Sequence, residues 1–178
     1  MQNKPPLVID TSTLSNMLSG NAFYLLETLY RNKIVIPAEV YVEAIRYKPL
    51  RPRIEKAVEK EWMKLYTISE IDDLKEFAQM LNYCDSGESA VLVIAKKLNG
   101  TAVSDNIPQI FPIYQKRNIP LLGTMGILYD AYINQYIDHI KGQKIIDKIR
   151  NEGNIIPVRR FSQIIDWFKN GQGNKPLY

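Results

Sequence analysis

Four carboxylates fall where short apolar runs end or where helical patterns begin. Asp10 closes "PLVID" (6–10), Glu43 lies in "AEVYVEAIRY" just after "KIVIP" (33–37), Glu88 opens "ESAVLVIAKKLN", and Asp105 closes "GTAVSD" (100–105). An acid ending an apolar strand is poorly explained by packing, because an unpaired buried charge is costly. Each acid alone has a plainer alternative. Asp10 before "TSTLSNML" also reads as a helix N-cap, and Asp85-x-x-Glu88 before an apolar run is close to a capping box. Taken together they mean more. In open α/β sheets ligands bind outside the carboxyl ends of the strands, and three or four carboxylates meeting there repel one another unless a divalent cation neutralises them. Oxygen donors of this kind suit Mg²⁺ or Mn²⁺, and a cation so held activates water for phosphodiester hydrolysis.

Other chemistries lack their residues. The single cysteine, Cys84, allows neither an internal disulfide nor a cysteine zinc site. The single histidine, His139, excludes a two-histidine nuclease and a histidine-rich metal site; it lies in "INQYIDHIKG" with no nucleophile motif nearby and reads as a solvated helix residue. There is no G-x-x-x-x-G-K-[ST] loop, and "NGQGNK" is too short and misplaced for a dinucleotide fingerprint.

The elements that must position the acids are legible in the pattern. Besides the three runs above, "MKLYTI" (63–68) and "IPLLGT" (119–124) read as strands, all nearly continuous in apolar residues, as expected of strands covered on both faces of a parallel sheet. Between them "AFYLLETLYR", "AEVYVEAIRY", "RIEKAVEKEW", "LKEFAQML" and "ESAVLVIAKKLN" have helical spacing, the last with an apolar face of Val91, Leu92, Ile94, Ala95 and Leu98. This alternation predicts an α/β fold with a mostly parallel sheet and right-handed crossovers. From 125 onward three helical patterns follow, with Gly153 and Gly171 as helix stops.

At 178 residues, 46% hydrophobic and 24% charged, the chain fits one domain with a real core. The expected division is a core over about 7–140, a helical extension over 141–170 and a loose tail over 171–178. No run reaches a membrane-spanning length and "MQNKPPLVID" lacks a signal-peptide core, so the expectation is a cytoplasmic protein without a membrane partner. A net charge of +4 and a pI near 9.0 are compatible with a polyanionic partner.

The order "VIDTSTL", "IPAEVYVEA", "SGESAVLVIA", "TAVSD" and "LLGTMGILYDA" resembles a PIN domain, over roughly residues 7–170. Within that superfamily it is most similar to the compact prokaryotic branch that includes VapC-type toxins. The resemblance implies a small three-layer α/β/α sandwich carrying a metal-dependent ribonuclease site. By motif, Asp10, Glu43, Glu88 and Asp105 are then the catalytic acids. Asp10, Glu88 and Asp105 would hold Mg²⁺ or Mn²⁺, and Glu43 would complete the cluster or orient the attacking water. Thr11, Ser12 and Ser104 stand where hydroxyls support the site. Gly123, Thr124 and Gly126 fit a later glycine motif, expected to serve backbone packing. On this reading Glu88 is the ligand and Asp85 the helix cap.

The resemblance also implies RNA as substrate, an antitoxin protein as inhibitor and a homodimer. "RYKPLRPRIEK" (46–56) offers Arg46, Lys48, Arg51, Arg53 and Lys56 as phosphate contacts beside the acids, with Tyr41 and Tyr47 for base stacking; the alternative is a solvated loop. Tyr129, Tyr132 and Tyr136 form a helical stripe better explained by packing or a dimer surface. Three departures from the family pattern stand out. Asn106 replaces a second acid after the fourth strand, Ala90 and Val91 lie where another acid often follows the G-E-S motif, and Pro108 and Pro112 make "NIPQIFPIYQ" a poor helix start. They keep two alternatives open: a catalytically degenerate PIN module binding RNA or a protein, and a metal-dependent nuclease directed at DNA.

Overall fold

The computed structural model describes residues 5–171, apart from the side chains of Pro108 and Gln109. The expected tail therefore lies, but for Gly171, outside the described residues. Five strands form one parallel sheet: β1 (Leu7–Ile9), β2 (Ile34–Pro37), β3 (Met63–Tyr66), β4 (Thr101–Val103) and β5 (Leu121–Leu122), in the order β3-β2-β1-β4-β5. The three central strands are buried almost throughout, which is why they read as unbroken apolar runs. β1 lies in the middle, its Leu7 opposite both Ile34 and Thr101 and its Ile9 opposite Val103. That register carries Asp10 to the carboxyl edge of the sheet beside Ser104.

Among the described residues ten helices cover the sheet, giving the three-layer α/β/α sandwich. α1 (Thr11–Ser19) and α2 (Tyr24–Tyr30) join β1 to β2; α3 (Ala38–Arg46) and α4 (Arg51–Glu59) join β2 to β3. α5 (Ile71–Met80) and α6 (Ser86–Lys97) lead to β4, and α7 (Ile107–Lys116) to β5. α8 (Thr124–Ile133), α9 (His139–Asn151) and α10 (Phe161–Lys169) close the chain. Returns onto β2, β3, β4 and β5 each pass through a left-handed residue, namely Asn32, Glu61, Asn99 and Asn118; three of the four are asparagine, which tolerates that conformation best after glycine. Gly153 and Gly171 end their helices at φ of 80° and 69°, as helix stops do.

Two elements differ from their expected form. α6 is buried from Gly87 through Ala95, not on one face alone, because α3, α5 and the central strands enclose it. The proline-containing segment is a helix after all. In α7 Pro108 falls in the first turn, where amides have no intrahelical partner to lose. Pro112 forfeits one interior bond, and the burial of Ile110 and Tyr114 holds the helix in place against that loss.

The tyrosine stripe is largely packing. Tyr129 stacks on Phe168 with ring centroids 4.6 Å apart, Tyr132 meets Phe161 edge-on at 5.6 Å, and Tyr136 alone stays 47% exposed. His139 begins α9, exposed, with its ring edge 5.7 Å from Phe161. Among the described residues no helix is long and apolar enough to cross a membrane.

Phe161 also sets a limit on α9. A Cβ at Gly142 would stand 2.6 Å from ring atoms of Phe161, which is fully buried. Gly142→Ala is expected to destabilise the protein by about 1–3 kcal/mol, the usual cost of overpacking a fitted contact. Urea unfolding measures it; an unchanged midpoint would show that α9 and α10 are not packed as described.

Candidate active site

β1 delivers Asp10 to the carboxyl edge, where it caps α1. The side chain is 6% exposed. Its Oδ2 accepts from the Ser12 amide at 3.2 Å, the Ser12 hydroxyl at 2.6 Å and the Ser104 hydroxyl at 3.3 Å. The cap and site readings of Asp10 are thus compatible, because one oxygen serves the helix and Oδ1 is left for the pocket. Ser12 and Ser104, the hydroxyls singled out in the sequence, both donate to Asp10.

α6 brings two acids. Asp85 caps it, accepting from the Glu88 amide at 2.8 Å, as a capping aspartate should. Glu88, 5% exposed in the first turn, accepts from the Asn106 side-chain amide at 2.6 Å. Glu43 reaches in from the exposed side of α3. The meeting point is Gly87. A Cβ built there would have Asp10 Oδ1, Glu43 Oε2 and Asp85 Oδ1 each 3.4 Å away. Asp85 is therefore cap and cluster member together, where the sequence reading separated cap from ligand.

Asp105 is placed differently. Its backbone amide donates to the Ser12 hydroxyl at 3.0 Å, so it shares a support with Asp10. Its carboxylate, however, turns to the Asn16 side-chain amide at 2.9 Å, to the Thr124 amide at 2.8 Å and to the Thr124 hydroxyl. Gly123 makes room for it, since a Cβ there would lie 2.6 Å from Asp105 Oδ1. The glycine motif thus does more than pack: Thr124 and Gly123 seat an acid.

Three positions escaped sequence reasoning. Asn106 stands where the family pattern has an acid, and it grips Glu88. Asn16 carried no motif at all and is buried, bonded to Asp105 and, at 3.3 Å, to the Ile155 carbonyl. Thr124 was visible only as part of a glycine pattern. The spacing of Asn16, six residues after a strand-ending acid on the next helix, is the one available signal, and it is weak.

Electrostatics agree with the crowding. Burial raises the Asp10 carboxyl above the usual range, against the Ser12 hydrogen bonds and with a further push from Asp85. Burial likewise raises Glu88, with Asn106 opposing and the Asp85 and Asp10 charges adding. Glu43 is raised first by desolvation from the walls around it, then by Asp10 and Asp85. The Thr11 hydroxyl is buried and has no hydrogen-bond partner among the described residues.

An open cleft of about 580 Å³ shares Glu43 and Asp85 with this group and is lined also by Glu39, Val42, Arg46 and Ser86. The basic segment accordingly divides. Arg46 faces the cleft; Arg51 donates to the Ile45 carbonyl at 2.6 Å, tying α4 to the end of α3; Arg53 and Lys56 line a separate cleft against α2. Arg53 does not stand beside the acids as expected.

The donors are hard carboxylate oxygens gathered around a glycine cradle, and this set fits a divalent cation. Among the described residues no three acidic, histidine or cysteine side chains stand as close as an ion would hold them. A cation would therefore draw the carboxylates inward.

An all-parallel α/β/α sandwich with acids on the carboxyl edge of its sheet sets the class. The chain belongs to the PIN-domain family: the family model DUF3368, described as a PIN domain, matches residues 6–170. PIN domains are generally nucleases, act on nucleic acid and typically use divalent metals. No curated protein and no solved structure matches the chain.

The raised carboxyls make stability depend on pH. Unfolded, Glu88 ionises in the ordinary range; folded, it ionises only at higher pH. Between those points the native state holds the extra proton, so stability falls as pH rises. Glu88→Gln keeps an acceptor for Asn106 and removes the charge. In chelator it is expected to melt higher than the parent at neutral pH, with the gain disappearing below the usual carboxylate range. Melting curves at both pH values decide, and equal temperatures throughout would contradict the crowding.

Proposed function

We propose that this PIN domain is a metal-dependent endoribonuclease that hydrolyses RNA phosphodiester bonds with Mg²⁺ or Mn²⁺. The observation that carries the reading is the convergence of Asp10, Glu43 and Asp85 on the Gly87 cradle, with Glu88 beside them. Asp10 and Glu88 would hold the ion, with Asp105 completing the set from the end of β4. When bound, the ion supplies an activated water and charge for the leaving oxygen.

The chain's own residues do the rest. Ser12 and Ser104 fix one oxygen of Asp10, so that the other points into the pocket. Asn106 orients Glu88 with a donor at 2.6 Å and favours its charged form against the burial that opposes it. Glu43 is solvent-accessible and has a raised proton affinity, which suits it to orient the attacking water and accept its proton. Arg46, lining the cleft beside Glu43, is placed to meet a backbone phosphate. The motif order supports the VapC-like branch, and with it a toxin held in check by an antitoxin over the cleft, a homodimer and a cytoplasmic location. A single domain over the whole chain belongs to the same reading.

A panel of labelled RNA and single-stranded DNA, incubated with Mn²⁺, Mg²⁺ or EDTA, tests this with the parent protein, Asp10→Asn and Asp105→Asn. Expected are cuts in RNA only, loss in EDTA, and a fall of at least about 100-fold in each variant, equivalent to roughly 2.7 kcal/mol of barrier. Cuts confined to DNA would move the substrate. RNA binding without cuts under any metal would make the chain a degenerate binding module, a reading favoured by the commitment of the Asp105 carboxylate to Asn16 and Thr124.

A further inference from the structure

Unpaired cations gather far from the acids. α4 sorts its charges by face: at helical spacing Arg53, Lys56 and Lys60 fall on one flank of its buried Ile54 and Ala57, and Glu55 and Glu59 on the other. The cationic flank borders two clefts. One, of about 180 Å³, lies against α2 and includes Tyr24, Glu27 and Trp62 with the three α4 cations. The other, of about 710 Å³, shares Lys60 and runs along the edge strand β3 with Arg31, Glu61 and Lys64. Asn32, just before β2, and Met63, which starts β3, also line it, so this surface lies at the amino edge of the sheet, across the molecule from the carboxylates.

The charge balance is one-sided. Glu27 is bound to Arg31, whereas Arg53, Lys56, Lys60 and Lys64 have no ion pair among the described residues. All four are exposed. Lys141 adds a further cation, 4.9 Å from the centre of the Tyr24 ring, and Tyr24 is itself 42% exposed. Like charges held together in this way gain most from a polyanion whose counterions they displace. A base that displaced Lys141 from the half-exposed Tyr24 ring would gain a stacking face, which an acidic peptide does not need.

We propose that this amino-edge surface is a second binding site, distinct from the carboxylate cleft, for the phosphate backbone of single-stranded RNA. The inference rests on the ribonuclease reading for its choice of RNA. It narrows the substrate to RNA long enough to reach from one edge of the sheet to the other. Two contacts on one strand raise the local concentration of the segment to be cut without any new contact at the acids.

The test measures binding of a long oligouridine by fluorescence anisotropy across a salt series, with every variant in the Asp10→Asn background. Lys56→Gln/Lys60→Gln/Lys64→Gln is expected to weaken binding at low salt at least about tenfold. It should also flatten the dependence of log K on log salt by about 2, from about 0.7 per cation on single strands. The matching triple Lys→Arg variant should restore both, and Glu55→Gln/Glu59→Gln on the opposite flank should change neither. Binding and slope equal to the parent in the triple Gln variant would overturn the site, as would no binding of oligouridine by the parent. Displacement of the RNA by polyglutamate at equal charge concentration would overturn it in favour of an acidic protein partner. Cleavage by the chain with its acids intact is scored separately. RNA cutting alongside an unaffected slope removes the second site and leaves the ribonuclease; lost binding with no cutting does the reverse.

Discussion

The Ser12 hydroxyl stands between the two strand-ending acids, donating to Asp10 and accepting from the Asp105 amide. Much of the carboxyl edge depends on that single group. It can reach both because β1 and β4 are neighbours in register, Ile9 against Val103, so the residues that follow them emerge side by side. A slip of one residue would turn every side chain of the strand to the opposite face. Both faces of β1 are buried, Val8 on one and Ile9 on the other, so what opposes the slip is Asp10, which would be drawn among apolar side chains and away from its Ser12 and Ser104 donors. Burial of the sheet thus sets the position of the acids, and the Ser12 hydroxyl holds them by donating to one and accepting from the amide of the other.

Helix termini supply the rest. α1 begins behind Asp10, α6 behind Asp85 with Glu88 in its first turn, and α8 behind Asp105, whose carboxylate takes the Thr124 amide at that helix's first residue. Three positive helix ends therefore face the acids that the sheet gathers, each adding some tenths of a kcal/mol to about 1 kcal/mol of stabilisation for a nearby negative charge. This offsets part of the desolvation that pushes Asp10 and Glu88 upward, but not all of it, since both remain raised.

The strands and most helices are legible because their signals are local: continuous apolar runs, period-3.6 stripes and glycine helix stops. The proline rules that argue against α7 are local too, while the burial of Ile110 and Tyr114 that sustains the helix is tertiary. The same distinction divides the site. Asp10, Glu43 and Glu88 could be singled out by where they sit on strands and helices, and the structure gathers them with Asp85. Asn16 and Asn106 could not, because their value lies in pairings across 89 and 18 residues. The direction of the Asp105 carboxylate depends on Thr124, 19 residues onward, and no spacing rule encodes it.

Asn106 illustrates how such a site tolerates its own charge. An acid at that position would set a second carboxylate against Glu88, where Asn106 now donates a hydrogen bond at 2.6 Å. Two carboxylates so close cannot both ionise without a shared proton or a cation. The amide removes that conflict and favours the ionised Glu88. Asp105, turned to Asn16 and Thr124, is likewise satisfied by neutral donors. The repulsion that remains is among Asp10, Glu43, Asp85 and Glu88, as the raised carboxyls record. It centres on Gly87, the one position there with no side chain to keep a cation out.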